Sequence, residues 1–286
     1  MSPESGPGPV PGSTPGREPA PVPYRLIATD LDGTLLRSDQ TVSPRTRDAL
    51  TSAAARGAAH IVVTGRAVPW TKHILDDLGY DGLAVCGQGA QVYDAGAHRL
   101  LTSMTLDRQL AQVALAKIEA ETGPLAVAAS RDGLDGEVVV GPGFRVLEGP
   151  LPVVKCTDPG ELWAEPLSKL YLQHPVLRDD ELAEAARTAA GGLVSITMSG
   201  EDIVELLPLG LSKAKGLSMA ARRLGVSAQE TIAFGDMPND IPMLGWASRG
   251  VAMANAHPEL HAAADEVTLS NDADGIAVVL ERLFAV

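Results

Sequence analysis

The stretch Arg25-Leu-Ile-Ala-Thr-Asp30-Leu-Asp32-Gly33-Thr34-Leu-Leu36 is an apolar run that ends in two aspartates one residue apart, followed at once by Gly-Thr. An apolar run of this length reads as a buried strand, and the glycine as the turn that ends it. Open α/β sheets hold ligands beyond the carboxyl ends of their strands. The spacing therefore puts two carboxylates at the mouth of a site. Burial and mutual repulsion both cost free energy there unless a cation or a reaction uses the charges. Asp and Gly are also ordinary turn residues. A calcium loop of the EF-hand type fails on register, since Leu35 would stand where that loop needs glycine and Thr41 where it needs glutamate.

Outward from this stretch, helix and strand signals alternate. Ser43-Pro44 is an N-cap followed by a proline in the first turn, and Gly57 is a stop. His60-Ile-Val-Val63 is a β-branched run ending at Thr64-Gly65-Arg66. A helix to about Leu78 follows, then a buried run at Leu83–Cys86. Later, Ser212 caps a helix to Leu224, Thr231–Phe234 is a strand closed by Gly235-Asp236, Gly250–Met253 is another strand, and Asp272–Phe284 a last helix. Such alternation implies parallel strands joined by right-handed crossovers. Between about 89 and 200 the rhythm changes. Expected strands at Gln91–Tyr93, Glu137–Val140, Lys169–Gln173 and Val194–Met198 are separated by helices near Asp107–Glu121 and Asp179–Ala190. The expected organisation is α/β: a Rossmann-like parallel-sheet core from 24–88 and 201–286, with an inserted α+β cap domain at 89–200 that sets specificity. Twelve of residues 1–23 are Pro or Gly, so this segment reads as a disordered tail.

The 286 residues are 45% hydrophobic but only 3% aromatic, so the core is built from small aliphatic side chains. A net charge of −13 argues against nucleic-acid and anionic-membrane partners. No apolar run has transmembrane length. Cys86 and Cys156 make no metal-binding pattern and read as reduced thiols of a cytoplasmic protein. The oligomeric state is not legible. The six histidines carry no ligand spacing. Arg131, Arg145, Lys155 and Lys169 in the insertion read mainly as a solvated face with the potential to touch an anionic substrate.

Four separated elements fall at strand ends or helix starts and can converge on one sheet edge: Asp30 with Asp32, Thr64, Lys213, and Gly235-Asp236-Met-Pro-Asn239-Asp240. Several carboxylates without Cys or His suit a hard cation, Mg²⁺ above all. A cation beside a lysine and a threonine hydroxyl suits phosphate. Asp30, nearest the strand end, is the expected nucleophile toward phosphorus, forming an aspartyl-phosphate. Asp32 is the expected general acid, then general base. Thr64 donates to a phosphoryl oxygen, and Lys213 balances the charge.

With these pieces in this order, the chain resembles the haloacid dehalogenase-like phosphatases, and among them the Cof-type group with a type IIB cap. The motifs are Asp30-Leu-Asp32-Gly-Thr34, Val63-Thr64-Gly65-Arg66, Gly210-Leu-Ser-Lys213 and Gly235-Asp236-Met-Pro-Asn239-Asp240, with Val251-Ala-Met-Ala-Asn255-Ala256 and Ser270-Asn-Asp-Ala-Asp-Gly275 similar to the closing region. The resemblance implies Mg²⁺ on Asp30, Asp236 and the backbone carbonyl of Asp32. Asp240 and Asn239 would hold metal-bound water or orient Lys213. The substrate would be a small phosphomonoester (a sugar phosphate, a flavin-pathway phosphate or a similar metabolite) bound by Thr64, Gly65, Arg66, Lys213 and Asn239. Two departures stand out: Gln88 replaces the usual asparagine after the third strand, and the lysine motif reads Lys213-Ala-Lys215-Gly216, which makes Lys215 a second choice. A sugar phosphomutase or phosphotransferase, or a phosphate-ligand-binding protein without turnover, are the alternatives. An ATP-driven pump is excluded by the missing spans.

Overall fold

The computed structural model describes residues 23–146, 153–198 and 203–284. The expected tail lies outside them, apart from its last residue. The first unit contains β1 (Leu26–Thr29), α1 (Pro44–Ala55), β2 (Ala59–Val63), α2 (Val68–Leu78), β3 (Leu83–Cys86), β4 (Gln91–Asp94) and β5 (Arg99–Ser103). A second unit follows with α3 (Arg108–Thr122), β6 (Ala126–Arg131), β7 (Val138–Val140), β8 (Val153–Lys155), β9 (Leu167–Gln173), α4 (Asp179–Ala190), β10 (Ser195–Met198) and β11 (Val204–Leu207). The chain then returns to the first unit through α5 (Lys213–Arg223), β12 (Thr231–Gly235), α6 (Ile241–Trp246), β13 (Arg249–Ala252), α7 (Pro258–Ala263), β14 (Glu266–Val267) and α8 (Gly275–Phe284).

The first sheet runs β14-β13-β12-β1-β2-β3-β4-β5. Its pairings from β14 to β3 are all parallel, as alternating strands and helices require. Strand β1 lies between β12 and β2 and is buried on both faces. Ile27 packs towards Ala49 and Ala53 of α1 and Val279, Leu280 and Phe284 of α8. Leu26 and Ala28 pack towards Leu217 and Ala220 of α5, Met243 of α6 and Leu260 of α7. This sandwich explains why β1 reads as an unbroken apolar run. Among the described residues no helix is long and apolar enough to cross a membrane.

The boundary expected at residue 89 is corrected. Strands β4 and β5 extend the first sheet as antiparallel additions to β3. Val92 enters the cluster on one face of that sheet and Tyr93 the cluster on the other, so this hairpin must be covered on both sides. At the far end, β11 belongs to the second sheet, which runs β10-β11-β9-β6-β7-β8, so that unit extends past residue 200. The last helix is also shorter than expected. A single 3₁₀ turn covers Asn271–Ala273, Asp274 turns left-handed at φ 60°, and α8 begins only at Gly275.

In the second sheet, alternation separates two roles. Val127, Ala129, Leu170, Leu172, Val204 and Leu206 pack under α3 and α4. Their neighbours Ser130, Lys169, Tyr171 and Glu205 occupy the alternate positions and face the first unit. Lys169 reaches Gly65 there, and Tyr171 meets Trp70 of α2.

Helix α5 approaches the turn after β3 closely. A Cβ added at Gly216 would stand 2.5 Å from Val85 Cγ1 and 2.6 Å from the Gly89 Cα. Gly216→Ala is therefore expected to destabilise by about 1–3 kcal/mol, the usual cost of overpacking. A lowered urea midpoint checks this, and an unchanged midpoint would show that α5 can shift freely.

Candidate active site

Three strands of the parallel set deliver a polar residue just past their carboxyl ends. Asp30 follows β1, Thr64 follows β2, and Asp236 follows β12. The loop after β1 turns tightly at Gly33, φ 73°, where a Cβ would lie 2.3 Å from Asp236 Oδ2. Glycine is needed both for the left-handed backbone and for that approach. Thr34, one residue on, donates to Asp236 Oδ1 at 2.9 Å.

Lys213 opens α5, where Ser212 caps the helix. A cation in a first turn opposes the helix dipole. Two carboxylates offset this: the Lys213 ammonium donates to Asp30 Oδ1 and to Asp240 Oδ1, each at 2.6 Å, with all three side chains buried. Burial alone would lower the lysine's pKa, but Asp240 and Asp30 outweigh it and hold the group above an ordinary lysine. The other oxygen of Asp240 accepts from the backbone amides of Asp236 and Met237 at 3.1 and 3.0 Å. Both oxygens of Asp240 are thus occupied in orienting Lys213 and the loop after β12.

Asp30, Asp236 and Asp240 offer oxygens within 4.8 Å of one another. One ammonium among three buried carboxylates leaves a deficit of positive charge. Burial raises Asp30 well above an ordinary aspartate, with Lys213 opposing the rise and neighbouring aspartates adding to it. Burial and Asp240 push Asp236 up to about 6. An oxygen-only donor set without thiol or imidazole, short of positive charge, fits a hard divalent cation.

Other expected site residues lie around this centre. Thr64 is buried, and its hydroxyl accepts from the Arg66 amide at 3.1 Å. Arg66 grips Asp32 through two parallel bonds, Nε to Oδ2 at 2.8 Å and Nη2 to Oδ1 at 2.5 Å. Asn239 donates to Gln88 Oε1 at 3.2 Å, while the bonds of Lys213 go to Asp30 and Asp240. Lys215 is exposed, which leaves Lys213 as the lysine of the site.

Of three further residues here, Glu205 was not read from the sequence, Gln88 stood only as a departure from the motif, and Lys169 only as an insertion cation with the potential to touch an anionic substrate. Gln88, in a left-handed turn at φ 59°, donates to Glu205 Oε2 at 3.0 Å. Glu205 also pairs with Lys169, whose ammonium donates to the Gly65 carbonyl at 2.8 Å. Lys169 is thus buried against the site, correcting its reading as part of a solvated face. Its place in an alternating strand was the available signal. Arg131 does lie at the partly exposed side, paired with Glu137 and Glu165.

Lys213→Ala is expected to abolish activity and to destabilise by about 3–5 kcal/mol, the cost of breaking a buried ion pair. Lys215→Ala should stay within about 0.5 kcal/mol of the parent, as surface substitutions do. Steady-state kinetics with thermal melts of both variants checks the contrast, and the reverse ranking would move the role to Lys215.

Among curated proteins the chain is 28% identical to the 5-amino-6-(5-phospho-D-ribitylamino)uracil phosphatase YwtE of Bacillus subtilis, over 91% of this chain and 98% of that one. It is 30% identical to the phosphatase YwpJ of the same organism, over 91% and 99%. Among solved structures, a phosphatase of the haloalkanoate (HAD) enzyme superfamily, BT1666 from Bacteroides thetaiotaomicron, superposes with a TM-score of 0.77 at 27% identity, covering 96% of this chain and 100% of that one. The family profile of the haloacid dehalogenase-like hydrolases matches residues 27–280. With that match spanning nearly all the described residues, the chain belongs to the haloacid dehalogenase-like hydrolase family.

Proposed function

We propose that the protein is a Mg²⁺-dependent phosphatase that hydrolyses a small phosphomonoester through a phosphoryl group carried on Asp30. The observation that carries this reading is the buried Asp30 carboxylate, held at 2.6 Å by Lys213 and set beside Asp236 in an oxygen-only cluster. Relatives of similar length that are known as phosphatases support it.

Asp30 and Asp236, with the main-chain carbonyl of Asp32, would hold the cation. When bound, Mg²⁺ supplies positive charge against the phosphoryl oxygens and the nucleophile. The remaining work falls to the chain. Lys213 fixes the direction of the Asp30 carboxylate and offsets its charge as the phosphate arrives. The Thr64 hydroxyl already accepts a bond from the Arg66 amide, so its proton is available for a phosphoryl oxygen. An Asp30 oxygen attacks phosphorus, and the bond from phosphorus to the alcohol oxygen breaks. Asp32 gives that oxygen its proton. Asp32 then takes a proton from water, which attacks the phosphorus and releases inorganic phosphate with the Asp30 carboxylate restored. In the structure Asp32 is held by Arg66. Passing its carboxyl from Arg66 to the leaving oxygen is the movement this sequence of steps requires. The second unit, extending over the catalytic edge, is the specificity cap of this reading.

Aryl phosphate turnover is expected to need Mg²⁺ and to stop with chelator, and Asp30→Asn to leave no measurable turnover. Loss of Asp32 is expected to cost about 10²–10⁴-fold, the range for general acid–base help. Equal rates in metal-free buffer would overturn the cation's role, and a wild-type rate for Asp30→Asn that of the nucleophile.

A second expectation concerns pH. Asp236 titrates near 6 against 3.8 for an ordinary aspartate, so the folded chain binds this proton more tightly than the unfolded one. That contribution to stability is present at low pH and is lost as pH rises through about 6. A cation must displace the same proton. The rise in Tm on adding Mg²⁺ should therefore be large at about pH 7.5, of the order of 2.7 kcal/mol at a hundredfold excess over Kd, and should shrink below about pH 6. A pH-independent shift would contradict this linkage.

A further inference from the structure

Gln88 sits where three parts of the molecule meet. Its backbone is left-handed at φ 59°, a conformation that suits asparagine better than glutamine, so what glutamine adds here is reach. Its backbone amide donates to the Thr64 carbonyl at 3.2 Å. The side chain passes over Gly65, where a Cβ would stand 2.6 Å from Gln88 Nε2. Nε2 donates to Glu205 Oε2 of the second sheet at 3.0 Å, and Oε1 accepts from Asn239 Nδ2 at 3.2 Å. One residue thus joins the turn after β2, the turn Pro238–Asp240 after β12, and the second unit, whose strand β10 also lies against that last turn.

The chemistry of these groups fixes the direction of every bond in the row. Amide nitrogen and oxygen are alike in shape, so the partners decide which end is which. The start of the row is unambiguous. Lys169 can only donate; burial alone would lower its pKa, but Glu205 outweighs this and the ammonium keeps its proton. Glu205, paired with it, is a carboxylate and can only accept. Gln88 must therefore turn its nitrogen to Glu205 and its oxygen to Asn239. Asn239 must turn its nitrogen to Gln88, which leaves Oδ1 at the far end. That oxygen is buried and has no hydrogen-bond partner among the described residues. A buried acceptor without a partner calls for a donor from a ligand or water. Asn239 stands between Asp236 and Asp240, two members of the carboxylate cluster.

We propose that Gln88 is a positioning residue: it carries the direction set by Glu205 in the second unit to Asn239, so that the Asn239 carboxamide offers an oxygen, not a nitrogen, to the O–H of a ligand at the catalytic edge. This rests on the phosphatase reading above, in which the O–H belongs to the substrate or to water on the cation. Glu205→Gln keeps the shape and reverses the row. The new amide must give its oxygen to Lys169 and its nitrogen to Gln88, so Gln88 and Asn239 both turn over and a nitrogen replaces Oδ1. Adding Gln88→Glu restores an acceptor at both ends of position 88, and with it the original direction, at the original total charge.

The test compares Glu205→Gln with the double variant Gln88→Glu plus Glu205→Gln. The readouts are kcat and KM for an aryl phosphate and for glycerol 3-phosphate, and the Mg²⁺ concentration at half of the rise in Tm. Where the donor is water on the cation, Glu205→Gln should lower kcat for both esters and raise that Mg²⁺ midpoint, each by about tenfold, the scale of one charge-assisted hydrogen bond. Where it is a substrate hydroxyl, KM for glycerol 3-phosphate alone should rise by about the same factor. In either case the double variant should recover most of the loss. A folded Glu205→Gln with wild-type values throughout overturns the inference, and so does a folded double variant no better than the single. A merely structural role would lower the metal-free Tm and leave the other readouts in place, which also overturns it. If Glu205→Gln does not fold, Gln88→Met, which keeps the length but neither amide end, should show the same losses, and wild-type behaviour there overturns the inference. If the wild type hydrolyses no phosphoester, the phosphatase reading falls by itself; the Mg²⁺ midpoint then judges the row, and a midpoint unmoved by Glu205→Gln overturns it as well.

Discussion

The ammonium of Lys213, buried between Asp30 and Asp240, is the interaction on which the catalytic edge depends. Each of these charges alone would be costly to bury; together they are tolerated because every partner is supplied by a rigid element. Asp30 comes from the end of β1, Lys213 from the first turn of α5, and Asp240 from the 3₁₀ turn after β12. A shift of any one would leave a buried charge without its partner. The close passage of Gly216 over Gly89 is part of the same constraint, since it sets how near the start of α5 comes to the sheet edge.

The arrangement still carries more negative than positive charge. Such an imbalance is not what a cluster serving stability alone requires. A purely structural design would pair Asp236 directly with a second buried cation; here its carboxylate takes the Thr34 hydroxyl and lies beside Asp30. Across the cleft the opposite rule holds: Lys169 and Glu205 cancel each other, and Gln88 ties them to the core.

Much of this was legible in the chain. The parallel core could be read because β1, β2, β3 and β12 are short apolar runs, and β1, β2 and β12 are each followed by a residue with chemistry: Asp30, Thr64 or Asp236. The caps Ser43 and Ser212 marked helices that form as read. The second unit was less legible. Strand β6 is Ala-rich, Ala-Val-Ala-Ala-Ser-Arg, and lacks the β-branched signal that marks β7. Strands β4 and β5 could not be assigned to a sheet from local pattern, because an antiparallel hairpin has the same alternation in either unit. Their membership follows from Val92 and Tyr93 each finding a packed partner layer. Lys169 and Glu205 lie 36 positions apart, and Glu205 sits in a strand that the pattern did not reveal, so their pairing required the fold. The grip of Arg66 on Asp32 likewise depends on how two loops approach, which neither motif specifies alone.

The most direct test of the central claim is to stop the wild-type reaction in acid during turnover with Mg²⁺ and locate the phosphoryl group by mass spectrometry of peptides. A labile acyl phosphate on the peptide containing Asp30, present during turnover and absent from Asp30→Asn, is the predicted result. Turnover without any phosphorylated peptide, or a phosphoryl group on a different residue, would contradict the assignment of Asp30 as the nucleophile.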